Sequence, residues 1–261
     1  MDEKKYKIGV VLSGGGAKGF AHLGFLQAML EIGLKPDIIA GASVGAIVGS
    51  LYADGYSPNE MLALFKNDTF LDLISPNLNK ISLMKSDNLK RKLKSLLHAK
   101  TFEELKIPLI VSSSNLTYGK VVYFKSGNLL EKILASASIP ILFNPIVIDG
   151  EYYVDGGLFD NFPVEQIRNE CELVIGFHLH PFKKQEKIKT IKQNIERTIT
   201  LVYESHGWEK ANQCDVYIEP AELSDYSIYD VRKGLALFKL AYERSKEVLN
   251  QDFLTKYNHL F

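Results

Sequence analysis

The chain has 261 residues, 46% of them hydrophobic and 24% charged, enough for one large domain or two small ones around a substantial core. Lys and Arg together number 31, as do Asp and Glu, so the formal net charge is zero. That balance excludes nucleic acid as the main partner, because phosphate binding demands a cationic surplus. Cys171 and Cys214 have no metal-ligand spacing, which excludes a disulfide scaffold and fits a reducing compartment. The charged start Met1-Asp2-Glu3-Lys4-Lys5 has no apolar signal-peptide core. The uncharged stretches 38–53 and 133–148 fall short of the ~20 residues of a spanning helix. A cytoplasmic location is expected.

In chain order, Ile8-Gly9-Val10-Val11-Leu12 is a short apolar run ended by glycines, the pattern of a buried parallel strand. A helix over 17–32 follows, stopped by Gly33. A second short strand over 37–40 turns abruptly at Gly41 into a helix over 44–53, closed near Gly55. Strand, helix, strand, helix at this spacing implies βαβ units and a sheet covered on both faces. Residues 107–113 and 120–124 read as a hairpin joined through 115–119. Residues 129–138 read as a helix stopped before Pro140. A second hairpin, 145–148 with 151–154, turns on Asp149-Gly150, a pair suited to positive φ. Then come a buried strand over 173–179, a helix over 188–205, a strand over 216–219 and a helix over 228–249. One mostly parallel α/β domain with helices on both faces accounts for the whole, without a repeat or linker.

Three short motifs carry chemistry. Gly41-Ala42-Ser43-Val44-Gly45 is a Gly-x-Ser-x-Gly placed between a strand and a helix. A serine hydroxyl attacks well only when exposed, deprotonated and backed by charge stabilisation. A sharp strand-to-helix turn projects Ser43, and small neighbours at Gly41 and Gly45 let backbones approach. Asp155-Gly156-Gly157 places a carboxylate on a tight loop after a strand, where Asp155 can serve as the base for Ser43. The loop Gly14-Gly15-Gly16-Ala17-Lys18-Gly19 opens the first helix. Taken literally, Gly14-x-Gly16-x-x-Gly19 also fits a dinucleotide fingerprint, with Asp37 at about the right distance for the ribose. Asp37, however, precedes its strand, and the strand's end is taken by Gly41-Ala42-Ser43. A phosphate-binding P-loop fails because Phe20 follows Gly19.

The order and flanks of these motifs resemble the patatin-like phospholipase family, from about Ile8 to about Ile167. The resemblance implies a three-layer patatin-like fold with the catalytic core at 8–168 and residues 169–261 completing the same domain. It implies a Ser43–Asp155 dyad and an oxyanion hole of backbone N–H groups at Gly14, Gly15 and Gly16. It also implies a lipid ester substrate, phospholipid or lysophospholipid first, hydrolysed without cofactor or metal. Lys18 matches the basic position of the family motif, as a surface lysine or as an electrostatic helper. Residues 135–140 match the family's lead-in to the aspartate.

Two alternatives stand beside the dyad. His178, His180, His206 and His259 follow Asp155, so a Ser–Asp–His order is formally available, although His178 and His180 alternate along an apolar strand as structural residues do. A non-catalytic module of the same fold, binding lipid or nucleotide, is the competing function class. On the lipid side, residues 69–84 form an apolar stretch that could cover an acyl pocket. The next segment reads as a basic amphipathic helix with Leu89, Leu93, Leu96 and Leu97 opposite Lys90, Arg91, Lys94 and Lys100. Such a helix suits either the core or an anionic membrane surface. The oligomeric state is left open.

Overall fold

The computed structural model of the chain describes residues 4–66, 87–184, 187–204 and 207–260. The apolar stretch 69–84 and His206 lie outside them. The elements run β1 (Tyr6–Leu12), α1 (Phe20–Glu31), β2 (Ile38–Ala42), α2 (Val44–Asp54), α3 (Pro58–Lys66) and α4 (Asp87–Leu96). Next come β3 (Leu109–Asn115), β4 (Lys120–Phe124), α5 (Leu129–Ser136), β5 (Ile146–Ile148), β6 (Glu151–Asp155) and α6 (Glu165–Arg168). The chain continues through β7 (Cys171–Phe177), α7 (Ile191–Glu204), α8 (Gly207–Ala211), β8 (Val216–Ile218), α9 (Gly234–Val248) and α10 (Gln251–Lys256).

The eight strands of the described residues join one sheet in the order β5-β6-β3-β2-β1-β7-β8, with β4 also paired to β3. The run from β3 to β8 is parallel, while β4, β5 and β6 pair antiparallel. Because successive strand residues point to opposite faces, each central strand feeds two cores. Val10, Leu12, Ile39, Leu109, Val111, Leu173 and Ile175 face the larger, which α1, α2, α9 and their neighbours fill. Val11, Ile38, Ala40, Ile110 and Val174 face the smaller, packed by Phe162, Val164 and Ile167. This is the expected α/β architecture, helices on either side of a central sheet.

One detail of the topology positions the site. β4 occupies one edge of β3 over Val111–Asn115. On the opposite edge, β2 pairs with the first half of β3, ending with Ala42 opposite Ser112. There β6 takes over, with Asp155 opposite Ser113. Two strands far apart in sequence therefore meet end to end along one edge. The residue that follows β2 is Ser43, and the residue that ends β6 is Asp155.

Two expected helices are shorter than the sequence suggested. The 17–32 helix begins as a 3-10 turn, Gly16–Gly19, before α1. The 228–249 helix begins only at Gly234. The reason is a tether: the Ile228 carbonyl accepts from the Ala17 N–H at 2.8 Å. In addition, Glu196 Oε1 accepts from Ser227 Oγ at 2.8 Å and Ile228 N at 3.0 Å. The segment is thus pinned against the glycine loop before it can coil. Asp149 and Gly150 carry φ of 51° and 83°, the positive pair anticipated for that hairpin turn.

Candidate active site

Ser43 links β2 to α2 with φ 52° and ψ −122°, a conformation that costs a non-glycine residue about 1–3 kcal/mol. The surroundings enforce it. A methyl group on Gly45 would stand 2.1 Å from the Leu12 carbonyl oxygen, and one on Gly41 would strike the Gly45 backbone at 2.7 Å. The Ser43 carbonyl accepts the first N–H groups of α2, from Ala46 at 3.0 Å and Ile47 at 3.1 Å. Its own N–H donates to Ser136 Oγ at 2.9 Å.

The glycine loop passes alongside. A methyl on Gly14 would lie 3.0 Å from Ser43 Cβ, and Gly16 has φ 55°, a backbone region that favours glycine. A methyl on Gly19 would collide with Val44 of α2. The three expected oxyanion donors are not equivalent. The Gly14 N–H is committed to Asn161, at 3.0 Å from Oδ1 and 3.3 Å from its carbonyl. Gly15 and Gly16 N–H make no hydrogen bond among the described residues and are the free donors. Asn161 thus anchors the Gly14 amide, while the next two amides of the loop stay available to a ligand.

Asp155 is completely buried. Its Oδ1 accepts from the Gly157 N–H at 2.8 Å, and its backbone N–H donates to the Ser138 carbonyl at 2.9 Å. Gly156 packs so close to β3 that a methyl there would meet Ser112 Oγ at 2.2 Å. Burial pushes the carboxyl up to about 6, opposed by hydrogen bonding from Ser43, from the Gly157 N–H and from Tyr203. Oδ2 is buried without a hydrogen-bond partner among the described residues, and the hydroxyls of Ser43 and Tyr203 are the side-chain groups that oppose the upward shift of the carboxyl. One short segment clamps both partners: Ser136 holds the Ser43 amide and Ser138 holds the Asp155 amide.

Ser43 opens onto an apolar cleft walled by Phe20, Val44, Ile47, Phe65, Leu89, Ile139, Leu142 and Ile228. Leu89, Leu93 and Leu96 of α4 are buried, so the apolar face of the basic helix is spent on the core. Lys18 is buried, which removes the surface reading. Its Nζ approaches the Leu179 carbonyl at 3.4 Å, and burial lowers its pKa to about 8 against the opposing pull of Glu196 and Glu204.

No histidine hydrogen-bonds to Ser43 or Asp155 among the described residues. His178 Nδ1 instead pairs with Glu219 Oε1 at 2.6 Å, and the buried His180 is held neutral, its pKa far below the usual imidazole value. Asp37 accepts from Ile8 N at 2.8 Å at the start of β2, the opposite end from the glycine loop, so it cannot reach a ligand held there. No group of three His, Cys, Asp or Glu side chains is placed to share a metal ion among the described residues.

Four residues at the site were missed: Asn161, Ser136, Ser138 and Tyr203. The two serines fall in the 135–140 lead-in, which flagged the segment without saying which atoms act. Asn161 and Tyr203 carry no local motif.

A family model described as patatin-like phospholipase matches residues 10–168. An uncharacterized NTE family protein of Mycobacterium tuberculosis is 31% identical over 177 residues, covering 67% of this chain and 49% of that protein. The lysophospholipase NTE1 of Kluyveromyces lactis is 28% identical over 279 residues, covering 93% of this chain and 19% of that protein. The chain thus spans half or less of the length of these relatives. Among solved structures, VipD from Legionella pneumophila shares the fold with a TM-score of 0.55 at 18% identity, over 94% of this chain and 67% of that one. No helix among the described residues is long and apolar enough to cross a membrane.

Proposed function

The chain belongs to the patatin-like phospholipase family, and from that premise we propose that it hydrolyses lipid acyl esters, phospholipid or lysophospholipid, through a Ser43–Asp155 dyad. The observation that carries the reading is a strained serine that lines an apolar cleft together with Gly16, close to a buried carboxylate and beside the unpartnered Gly15 and Gly16 amides. The acyl chain occupies the cleft and leaves its ester carbonyl beside Ser43. Asp155 takes the hydroxyl proton as Ser43 Oγ attacks the carbonyl carbon. The oxygen, now an alkoxide, is met by the N–H groups of Gly15 and Gly16. Collapse of the adduct expels the alcohol, which takes the proton from Asp155 and leaves an acyl-Ser43 ester. Water then attacks that ester, giving its proton to Asp155. Fatty acid departs as the proton returns to Ser43.

The family and the name of the Kluyveromyces relative support the lipid class, and the apolar lining supports an acyl chain over a polar substrate. The test is fatty-acid release from long-chain lysophospholipid, phospholipid and short-chain esters by wild type and Ser43→Ala. We expect release that favours long chains and falls by about 10⁴-fold or more in the variant. Equal turnover by the two proteins would overturn the proposal.

A further inference from the structure

Tyr203 lies near the end of α7, well beyond the 10–168 match. Its ring is buried directly over Gly157: a methyl group there would stand 2.4 Å from Tyr203 Cε1. The Asp-Gly-Gly loop therefore needs its second glycine because this tyrosine covers it. On another side the ring meets His180 edge-on, centroids 5.6 Å apart. The phenolic oxygen is buried without a hydrogen-bond partner of full geometry among the described residues, and so is Asp155 Oδ2. A buried donor and a buried acceptor left over side by side are most cheaply satisfied by each other.

We propose that Tyr203 is a positioning residue for the base, its hydroxyl donating to Asp155 Oδ2 and holding the carboxylate ionised and aimed at Ser43. The inference rests on the Ser43–Asp155 reading and adds to it a residue from the C-terminal segment. Burial and the adjacent charge push the phenol well above its usual value, so it stays protonated and its O–H is available to donate to the carboxylate. The groups acting on Asp155 are Ser43, the Gly157 N–H and Tyr203. Behind Tyr203 stand Tyr229 and the neutral His180, and behind His180 stand Lys18, His178 and His22. No cation contacts the carboxylate among the described residues, which leaves hydroxyl and amide donors to oppose its burial.

The test is the pH dependence of kcat/KM on a soluble short-chain ester, and of Ser43 labelling by a fluorophosphonate, in wild type and Tyr203→Phe. Without the phenolic donor the carboxylate holds its proton more tightly. The acid limb is therefore expected to move up by about one pH unit, with the high-pH plateau within a few-fold of wild type. Tyr203→Leu, which also empties the space over Gly157, should move the limb the same way and melt at lower temperature. A limb that stays at its wild-type position in the folded variants, with activity unchanged or lowered equally at every pH, overturns the proposal. A wild type that does not label at Ser43 brings down the hydrolase reading as well.

Discussion

Ser43 and Asp155 stand next to each other but are held by different physics. The serine is fixed by backbone: a positive φ, two glycines pressed against neighbouring main chain, and helix N–H groups on its carbonyl. The aspartate is fixed by environment: complete burial, one amide on Oδ1 and the hydroxyls of Ser43 and Tyr203 acting on the carboxylate. Damage to the first half is steric and destroys geometry at every pH. Damage to the second half is electrostatic and moves the pH at which the site works.

The largest expected effect comes from the electrostatic half. Asp155→Asn removes the proposed base and should lower kcat by roughly 10²- to 10⁴-fold. The same change should stabilise the fold. With a folded pKa of about 6 against an ordinary 3.8, the native state holds this proton more tightly than the unfolded chain. The charged carboxylate therefore costs nothing below about pH 4 and progressively more as pH rises, levelling off above pH 6. Relief of that cost is worth up to about 3 kcal/mol at pH 7, seen as a raised Tm relative to wild type that disappears at pH 4. A variant no more stable than wild type at pH 7 would show that the carboxylate is better solvated than its burial implies.

Gly45→Ala tests the steric half. Its methyl meets the Leu12 carbonyl oxygen at 2.1 Å, so the elbow must shift, at a cost of about 3 kcal/mol and with labelling of Ser43 slowed by up to about 10²-fold, equally at every pH. Denaturant unfolding checks the first and a fluorophosphonate the second. Rate loss confined to low pH would contradict the division between the two halves.

Ser136→Ala gives the smallest effect. The Ser43 amide is left buried without its partner, for about 1–2 kcal/mol, or roughly tenfold in acylation rate. The pH profile should not move, because Ser136 touches the backbone of Ser43 and not the Asp155 carboxylate. Steady-state kinetics on a short-chain ester across pH check both statements.

The same division explains what could be read from the sequence. Sterically defined parts leave local marks: Gly41 and Gly45 around Ser43, Gly16 at positive φ, Asp149-Gly150 in its turn, and apolar runs for β1, β2 and β7. Parts defined by environment do not. Tyr203 looks like any apolar helix residue, and only the packing of α7 over Gly157 gives it a partner. Asn161 holds Gly14 from 147 positions further along the chain. Ser136 and Ser138 fall in the 135–140 lead-in, but only the fold shows that one points a side chain at Ser43 and the other a carbonyl at Asp155. The late start of α9 was hidden for the same reason, since the Ile228 tether is a long-range bond to Ala17.

The most direct measurement is the rate at which a fluorophosphonate modifies Ser43 as pH is varied, with the labelled peptide identified by mass. The account predicts a single modified residue, Ser43, a rate that climbs through about pH 6 and then levels, and slow, pH-independent modification in Asp155→Asn. A label on another residue, or an Asp155→Asn protein that reacts as fast as wild type above pH 7, would contradict it.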